Sequence, residues 1–376
     1  MERALEPRHA NRVSAGHARR APWGSGGGQG IASRHVFHPQ CTAFLQQARV
    51  ERLVSIVRPR KVLITGASGF IGRALRRRLT ASSIPHVAAM RAISPQDETQ
   101  PGSLAMGDFA AADWSEALEG VDVIVHLAGR AHVLNGYAGD ATPYVVANVH
   151  VTRRLVDAAA RAGVRRVVFA STIKVYGETT PRGRPFRAGD PAHPRDDYAR
   201  SKAEAEKVLW QICHAAGIEG VVLRLPLTYG PGVKGNFLAL MDAVAARRRL
   251  PFAGVANRRS LLYVGNAVAA IEAAMSAPWL PNETLPIADA KSVSTPELIR
   301  RIARALDVPA RLYPAPRLLL RVGALVAGRR RAASRLLGSL EIDASRFCEL
   351  AHWVAPATID DGLAATAAWW RLRHTL

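Results

Sequence analysis

Thiols, lysine and aromatic rings are scarce in this chain of 376 residues. Its three cysteines, Cys41, Cys213 and Cys348, are odd in number, far apart and free of any CxxC spacing, which gives no basis for a disulfide framework or a thiolate zinc site. No apolar run approaches the roughly 18 residues that span a bilayer, so no integral membrane segment is expected. The N-terminus lacks the apolar region and cleavage site of a secretory signal, and a reducing cytoplasm is the expected compartment. Lysine occurs six times (Lys61, Lys174, Lys202, Lys207, Lys234, Lys291) among 51 basic residues, and the remainder are arginine. With only 30 acidic residues the formal net charge is +21. Arginine and alanine at lysine's expense follow the codon usage of a GC-rich genome, so the excess is not read as a nucleic-acid surface. An anionic small substrate fits it equally well. Apolar residues are plentiful: 48% hydrophobic against 22% charged is the balance of a soluble globular protein.

The length allows one large domain or two. Residues 1–58 carry scattered Gly, Arg and His without an apolar period and read as a disordered extension or an upstream mis-start; their arginine content also suits a transit peptide. Order begins at Lys61. Apolar runs at 61–65, 87–90, 122–127, 165–171 and 220–225 read as buried strands, and the helical patterns between them include 113–118, 143–162 and 199–216. Continuous apolar strands alternating with amphipathic helices predict an α/β fold: a Rossmann-type, doubly wound parallel sheet. After about Tyr229 the pattern changes to helices at 237–248, 267–276 and 296–306 separated by Pro-rich loops. The expected organisation is a dinucleotide-binding domain over 59–228 and a smaller substrate lobe over 229–376, with some return to the sheet. The Leu/Ala/Arg stretch 317–337 reads as an amphipathic helix packed on that lobe, with a membrane-surface helix as the alternative.

Gly66, Gly69 and Gly72 follow the first strand and open a helix, the context that makes a glycine pattern meaningful. Gly66 permits the tight turn, Gly69 lets the backbone approach a pyrophosphate, and Gly72 lets helix and sheet pack closely. The helix N-terminus then offers free N–H groups to the anion. The second strand normally ends in an acid that binds the adenosine ribose. Here it ends in Met90 and Arg91, where an arginine suits a 2′-phosphate, so NADP is favoured over NAD. Asp108 and Phe109 are candidates for the adenine edge and face.

Tyr198 and Lys202 stand four apart at the start of a helix and share one face. A phenol of pKa about 10 is a poor base at neutral pH; an ammonium one turn away and an oxidised nicotinamide would lower it. Lys202 can also hold the nicotinamide ribose. The preceding strand ends Ala170, Ser171, Thr172, which can bring a hydroxyl to the same substrate oxygen.

With these residues in place, the chain from Lys61 onward resembles the extended short-chain dehydrogenase/reductase family of nucleotide-sugar epimerases, reductases and dehydratases. The resemblance is carried by GASGFIG at 66–72, HLAG at 126–129, Asn148 with Thr152, ASTIKVYGE at 170–178 and YARSK at 198–202. It implies that Ser68, Phe70, Ile71, Leu127, Ala128, Gly129, Asn148, Ser171 and Pro226 join the three glycines, Arg91, Asp108, Phe109, Tyr198 and Lys202 in holding NAD(P). It implies catalysis by Thr172, Tyr198 and Lys202, and contact with a UDP-sugar through Thr172, Lys174, Asn236 and Arg259; guanidinium forks suit a diphosphate. A homodimer through the helices 143–162 and 199–216 is implied as well. Within the family the chain is most similar to bacterial enzymes acting on UDP-N-acetylhexosamines for surface polysaccharide, through STIKVYGE, YGPGVKGNF at 229–237, STPELIRRIARAL at 294–306 and RLLGSLEID at 335–343.

A dehydratase of this family carries Asp-Glu after the catalytic Thr; Ile173 and Lys174 stand there instead, which argues against dehydration. A 4-ketoreductase with NADPH and a 4-epimerase with bound NAD both remain, and the missing ribose acid favours the reductase. Steroid- or flavonoid-type reductases lack reason to keep Arg259. A catalytically silent dinucleotide-binding sensor or scaffold has no reason to keep both Tyr198 and Lys202.

Overall fold

A computed structural model describes residues 58–131, 141–280, 282–316, 320 and 336–375. The extension 1–57, Cys41 and most of the stretch 317–337 lie outside the described residues.

The apolar run Val62–Thr65 forms β1 with every residue buried. It pairs in parallel with β2 (His86–Met90) on one side and β4 (Val123–His126) on the other, Ile64 lying opposite Ala88 and Val125. With β3 (Ser103–Ala105), β5 (Arg166–Thr172), β6 (Glu219–Leu225) and β9 (Glu283–Pro286), they make a seven-stranded parallel sheet in the order β3-β2-β1-β4-β5-β6-β9. The order reverses between β1 and β4, and a crevice opens at such a switch point at the carboxyl ends of the strands. A short parallel pair, β7 (Thr228–Tyr229) and β8 (Leu262–Tyr263), stands apart from the sheet.

Alternate side chains of the strands feed two cores, as a sheet covered on both faces requires. Val62 and Ile64 join Leu75 and Leu79 of α1 (Phe70–Ala81) and Ile271 of α5 (Val264–Ser276). Leu63 points the other way, into a core with Leu155 of α2 (Val151–Arg161) and Leu209 of α3 (Asp197–Ala216). A third apolar cluster lies among α4 (Gly235–Ala245), α6 (Thr295–Leu306) and α8 (Ile359–Thr375), centred on Phe237, Ile299, Ile302 and Leu363. The short helix α7 (Ser345–Ala351) adds Phe347 to the first core.

Strand bounds differ from the sequence reading by a residue or so. Several features lay beyond it, among them β7, β8, α7 and α8. The edge strand β9 is only four residues long and was not distinguishable among Pro-rich loops. The segment read as one helix over 143–162 contains a π-helical stretch, Val145–His150, between a short turn at Thr142–Tyr144 and α2. Apolar period alone does not distinguish the wider turn. No helix among the described residues is long and apolar enough to cross a membrane.

Candidate active site

The turn from β1 into α1 is fixed by sterics. Gly66 sits at φ +67°, and a Cβ there would come 2.7 Å from the Ala128 backbone nitrogen. A Cβ on Gly72 would lie 2.3 Å from the Gly66 carbonyl oxygen, and one on Gly69 would lie 3.0 Å from it. No side chain caps the N-terminus of α1. Its leading N–H groups therefore face the crevice with the dipole that favours an anion. Ser68 is exposed on this turn, while Phe70 and Ile71 are half-buried against the cores behind it. Leu127 and Ala128 follow β4 across from Gly66, and the Ala128 N–H donates to Thr65 Oγ1 (3.2 Å). These features fit a dinucleotide pyrophosphate.

At the end of β2, Arg91 is exposed. The acid that follows it, Asp97, is buried and committed: it accepts from Arg76 (2.8 Å) and from Ser94 (2.6 Å). The Ser94 hydrogen bond, with the charges of Arg73 and Arg76, holds its carboxyl below the usual range despite burial. Asp108 is exposed and accepts from the Ala110 N–H within its own turn. Phe109, expected to offer an adenine its face, is 7% exposed and packs with its ring centroid 5.2 Å from that of Trp114. An aromatic residue next to a loop acid is drawn into apolar packing when a neighbouring ring is within reach.

Three elements converge on the chemistry. Thr172 ends β5 and caps a 3₁₀ turn, accepting from the Lys174 N–H (3.3 Å). The Asp196 carboxylate accepts the Ala199 N–H (2.8 Å) and so starts α3, which sets Tyr198 and Lys202 on its inner face. The Thr172 hydroxyl acts on the Tyr198 phenol, favouring its ionised form. The Tyr198 ring centroid is 6.2 Å from that of Tyr144. Lys202 is buried, with Nζ 3.8 Å above the Phe169 ring centroid. Burial pushes the Tyr198 phenol up to about 12, the Thr172 hydrogen bond opposing it, and pulls Lys202 down to about 7. Burial thus opposes the lowering of Tyr198 that the sequence argument assigns to Lys202 and an oxidised nicotinamide together. That argument counted the spacing of the charges and omitted the removal of both groups from water.

A hydrogen-bonded chain links this site to the glycine turn. Thr65 Oγ1 meets His126 Nδ1 (2.6 Å), and His126 Nε2 meets Thr152 Oγ1 (3.0 Å), whose hydroxyl donates to the Asn148 carbonyl (2.6 Å). Burial, and then the Lys202 charge, pull His126 down to about 3, so it stays neutral. Asn148, on the π-helical stretch, accepts from the Arg130 N–H (2.8 Å) and donates to the Arg130 carbonyl (3.2 Å) and Ser201 Oγ (2.8 Å). It thereby ties the loop after β4, including Gly129, to the helix that carries Tyr198.

The expected substrate residues are more dispersed. Lys174 pairs with Asp196 and with Glu178 (3.3 Å). Asn236 is exposed at the start of α4. Arg259 donates to the Gly338 carbonyl (3.1 Å). Pro226, buried, ends β6. Ser171, beside Thr172, donates to Glu206, which also accepts from Arg224 (2.5 Å).

The model of the NAD dependent epimerase/dehydratase family matches residues 62–285. The chain belongs to this family. As a member it is an enzyme that uses NAD(P). It is 36% identical over 315 residues to a UDP-glucose 4-epimerase of Vibrio cholerae, a match covering 82% of this chain and 95% of that one. An Escherichia coli O157:H7 N-acetyl-alpha-D-glucosaminyl-diphospho-ditrans,octacis-undecaprenol 4-epimerase is 27% identical over 326 residues, covering 81% and 93%. In fold, the chain matches UDP-glucuronic acid 4-epimerase from Bacillus cereus in complex with NAD, with a TM-score of 0.68 at 22% identity over 84% of this chain and 98% of that one.

For a family member, four residues of the site went unassigned in the sequence reading: His126, Asp196, Glu206 and Arg224. His126 lay inside a quoted motif. Glu206 carried a signal, since it falls four residues after Lys202 on the same helical face. Arg224, inside an otherwise apolar strand, carried another. Asp196 was legible as an N-cap.

Proposed function

We propose that this enzyme transfers hydride at C4 of a UDP-sugar, and that it works as a UDP-4-keto-6-deoxy-N-acetylhexosamine reductase of surface-polysaccharide synthesis, using NADPH. The observation that carries this reading is the end of β2: Arg91 stands exposed there, and Asp97 is buried and paired with Arg76. An arginine without a competing carboxylate suits a 2′-phosphate. A dinucleotide that binds and leaves suits a one-way reductase. The bound dinucleotide supplies the hydride. The chain supplies the rest. Tyr198 delivers the proton to the C4 oxygen, and Thr172, at the end of β5, holds that oxygen. A phenol held protonated by burial is ready to donate, the direction a ketone reduction needs. Lys202 orients the ribose and restores the proton charge balance around Tyr198. Asn236 and Arg259 are proposed to hold the UDP portion, Arg259 on exchanging its Gly338 contact for phosphate oxygens.

The 4-epimerase reading stands second, favoured by the 36% identity to the Vibrio cholerae enzyme across nearly its whole length. One incubation separates them. Purified protein with UDP-N-acetylglucosamine and catalytic NAD, without reductant, is followed by proton NMR. A reductase leaves the sugar unchanged and then consumes UDP-4-keto-6-deoxy-N-acetylglucosamine with NADPH. A UDP-N-acetylgalactosamine anomeric signal overturns the reductase and establishes the epimerase. A homodimer through α2 and α3 is proposed on the same resemblance, and a monomer by light scattering at micromolar concentration removes it.

A further inference from the structure

Lys202 carries its charge into a dry place without an ordinary partner. Its side chain is buried, and among the described residues it makes no ion pair and no hydrogen bond. The carboxylate one turn further along α3, Glu206, is taken up by Ser171 of β5 and by Arg224 of β6, the latter at 3.1 and 2.5 Å. A Cβ on Gly129 would come 3.8 Å from Lys202 Nζ, so the turn after β4 stands close by without supplying a charge. What the ammonium does meet is a ring face: Nζ lies 3.8 Å from the centroid of Phe169. A buried ammonium without a partner is costly, and the negative face of an aromatic ring offsets part of that cost.

Packing alone does not ask for a ring at this position. Its neighbours in the same core, Val167 on β5, Ile124 on β4 and Val222 on β6, are aliphatic. Phe169 lies opposite His126 in the β4–β5 register, and the two rings stack with centroids 5.2 Å apart at 29°. The His126 imidazole is held at both nitrogens, by Thr65 and Thr152, which fixes its plane and steadies the ring stacked on it. We propose that Phe169 is a positioning residue: its ring face holds the Lys202 ammonium at the catalytic end of α3 in place of a carboxylate. The titratable and charged groups around Lys202 are Tyr198 and Glu206 on α3, His126 on β4, Tyr144 from the turn before the π-helical stretch, and Arg224 of β6 behind Glu206. None of them pairs with it. Burial pulls the ammonium down, and the Glu206 charge opposes that. A ring face suits the task because it holds a cation without neutralising it, and so leaves the charge to act on a ribose hydroxyl or on Tyr198. The inference rests on the reading that Lys202 works as a cation, but its test does not depend on which sugar is turned over.

Lysine is rare enough to be observed residue by residue. The full chain, carrying ¹³Cε-lysine, gives six signals, and the one missing from Lys202→Arg is Lys202. Protons that lie over a ring face are shielded, so the Lys202 Cε protons resonate upfield of those of the other five lysines, and in Phe169→Leu they join them. A second measurement is electronic. The ring at position 169 alone is replaced by its mono-, di- and pentafluorinated forms, which keep its shape and drain negative charge from its face. The Lys202 midpoint in a pH titration falls stepwise along that series, by about one pH unit in total, a tenfold loss of ammonium at fixed pH, while the other five stay in place. A midpoint that stays level across the series overturns the proposal and leaves Phe169 a packing residue. A wild-type Lys202 signal lying among the other five overturns it as well. If Phe169→Leu does not fold, the fluorinated series decides alone. An inactive wild type with both signatures present counts against the UDP-sugar reading alone.

Discussion

The two ends of the crevice are built from different materials. At the glycine turn the work is done by backbone: three residues without side chains, an uncapped helix terminus and close steric clearances. At the catalytic end it is done by ionisable side chains that burial has moved from their ordinary values, Tyr198 upward and Lys202 downward. The first end depends on volume and tolerates no added atom. The second depends on charge, and its parts can keep their positions while losing their chemistry. A hydrogen-bonded chain through His126 joins the two, and shares the backbone's steric precision and the side chains' sensitivity to protons.

That contrast can be broken at each end. The largest structural effect is expected at the turn. Gly72→Val pushes a branched side chain into the Gly66 carbonyl and the Ala67 backbone, and should weaken dinucleotide binding at least about tenfold and cost about 1–3 kcal/mol of stability. Calorimetric binding and chemical denaturation check both, and unchanged dinucleotide affinity would remove Gly72 from the pyrophosphate seat. Tyr198→Phe should do the reverse, lowering turnover about 10²–10⁴-fold while dinucleotide affinity and melting temperature stay close to wild type. A loss of dinucleotide affinity as large as the loss of rate would erase the distinction between the ends. The third test concerns the link. His126 is held neutral in the fold, so the unfolded chain binds its proton first as pH falls. Stability is fully present above about 6.5 and is lost progressively as pH drops towards about 3, at up to about 1.4 kcal/mol per pH unit. His126→Gln should flatten the urea midpoint against pH in that window, and an equally steep curve would show that other groups carry the acid sensitivity.

The same contrast explains what could be read before the structure. The glycine spacing, the strand before it and the helix after it specify a turn in which Gly66 must take positive φ, so that end was legible in the letters. So were the sheet and the Tyr198–Lys202 face, because apolar runs and a four-residue spacing encode geometry directly. The Tyr198 and Lys202 protonation states were not legible, since they depend on how much water the folded chain removes. Nor was the fate of Phe109, decided by the proximity of Trp114. Glu206 and Arg224 stand 18 residues apart in the chain, and only the pairing of β6 beside β5 brings them together under Ser171.

The Lys174–Asp196 ion pair has a further consequence. Thr172 lies two residues before Lys174, and Tyr198 lies two residues after Asp196, so the pair clasps the chain just outside its two reacting hydroxyls. Everything between Lys174 and Asp196 is thereby hung from a closed loop whose base is fixed. Within that stretch Tyr176 and Phe186 are held again, packed with Leu340 and Ile342. Fastened at both ends in this way, the stretch can vary its exposed side chains while Thr172 and Tyr198 keep their spacing.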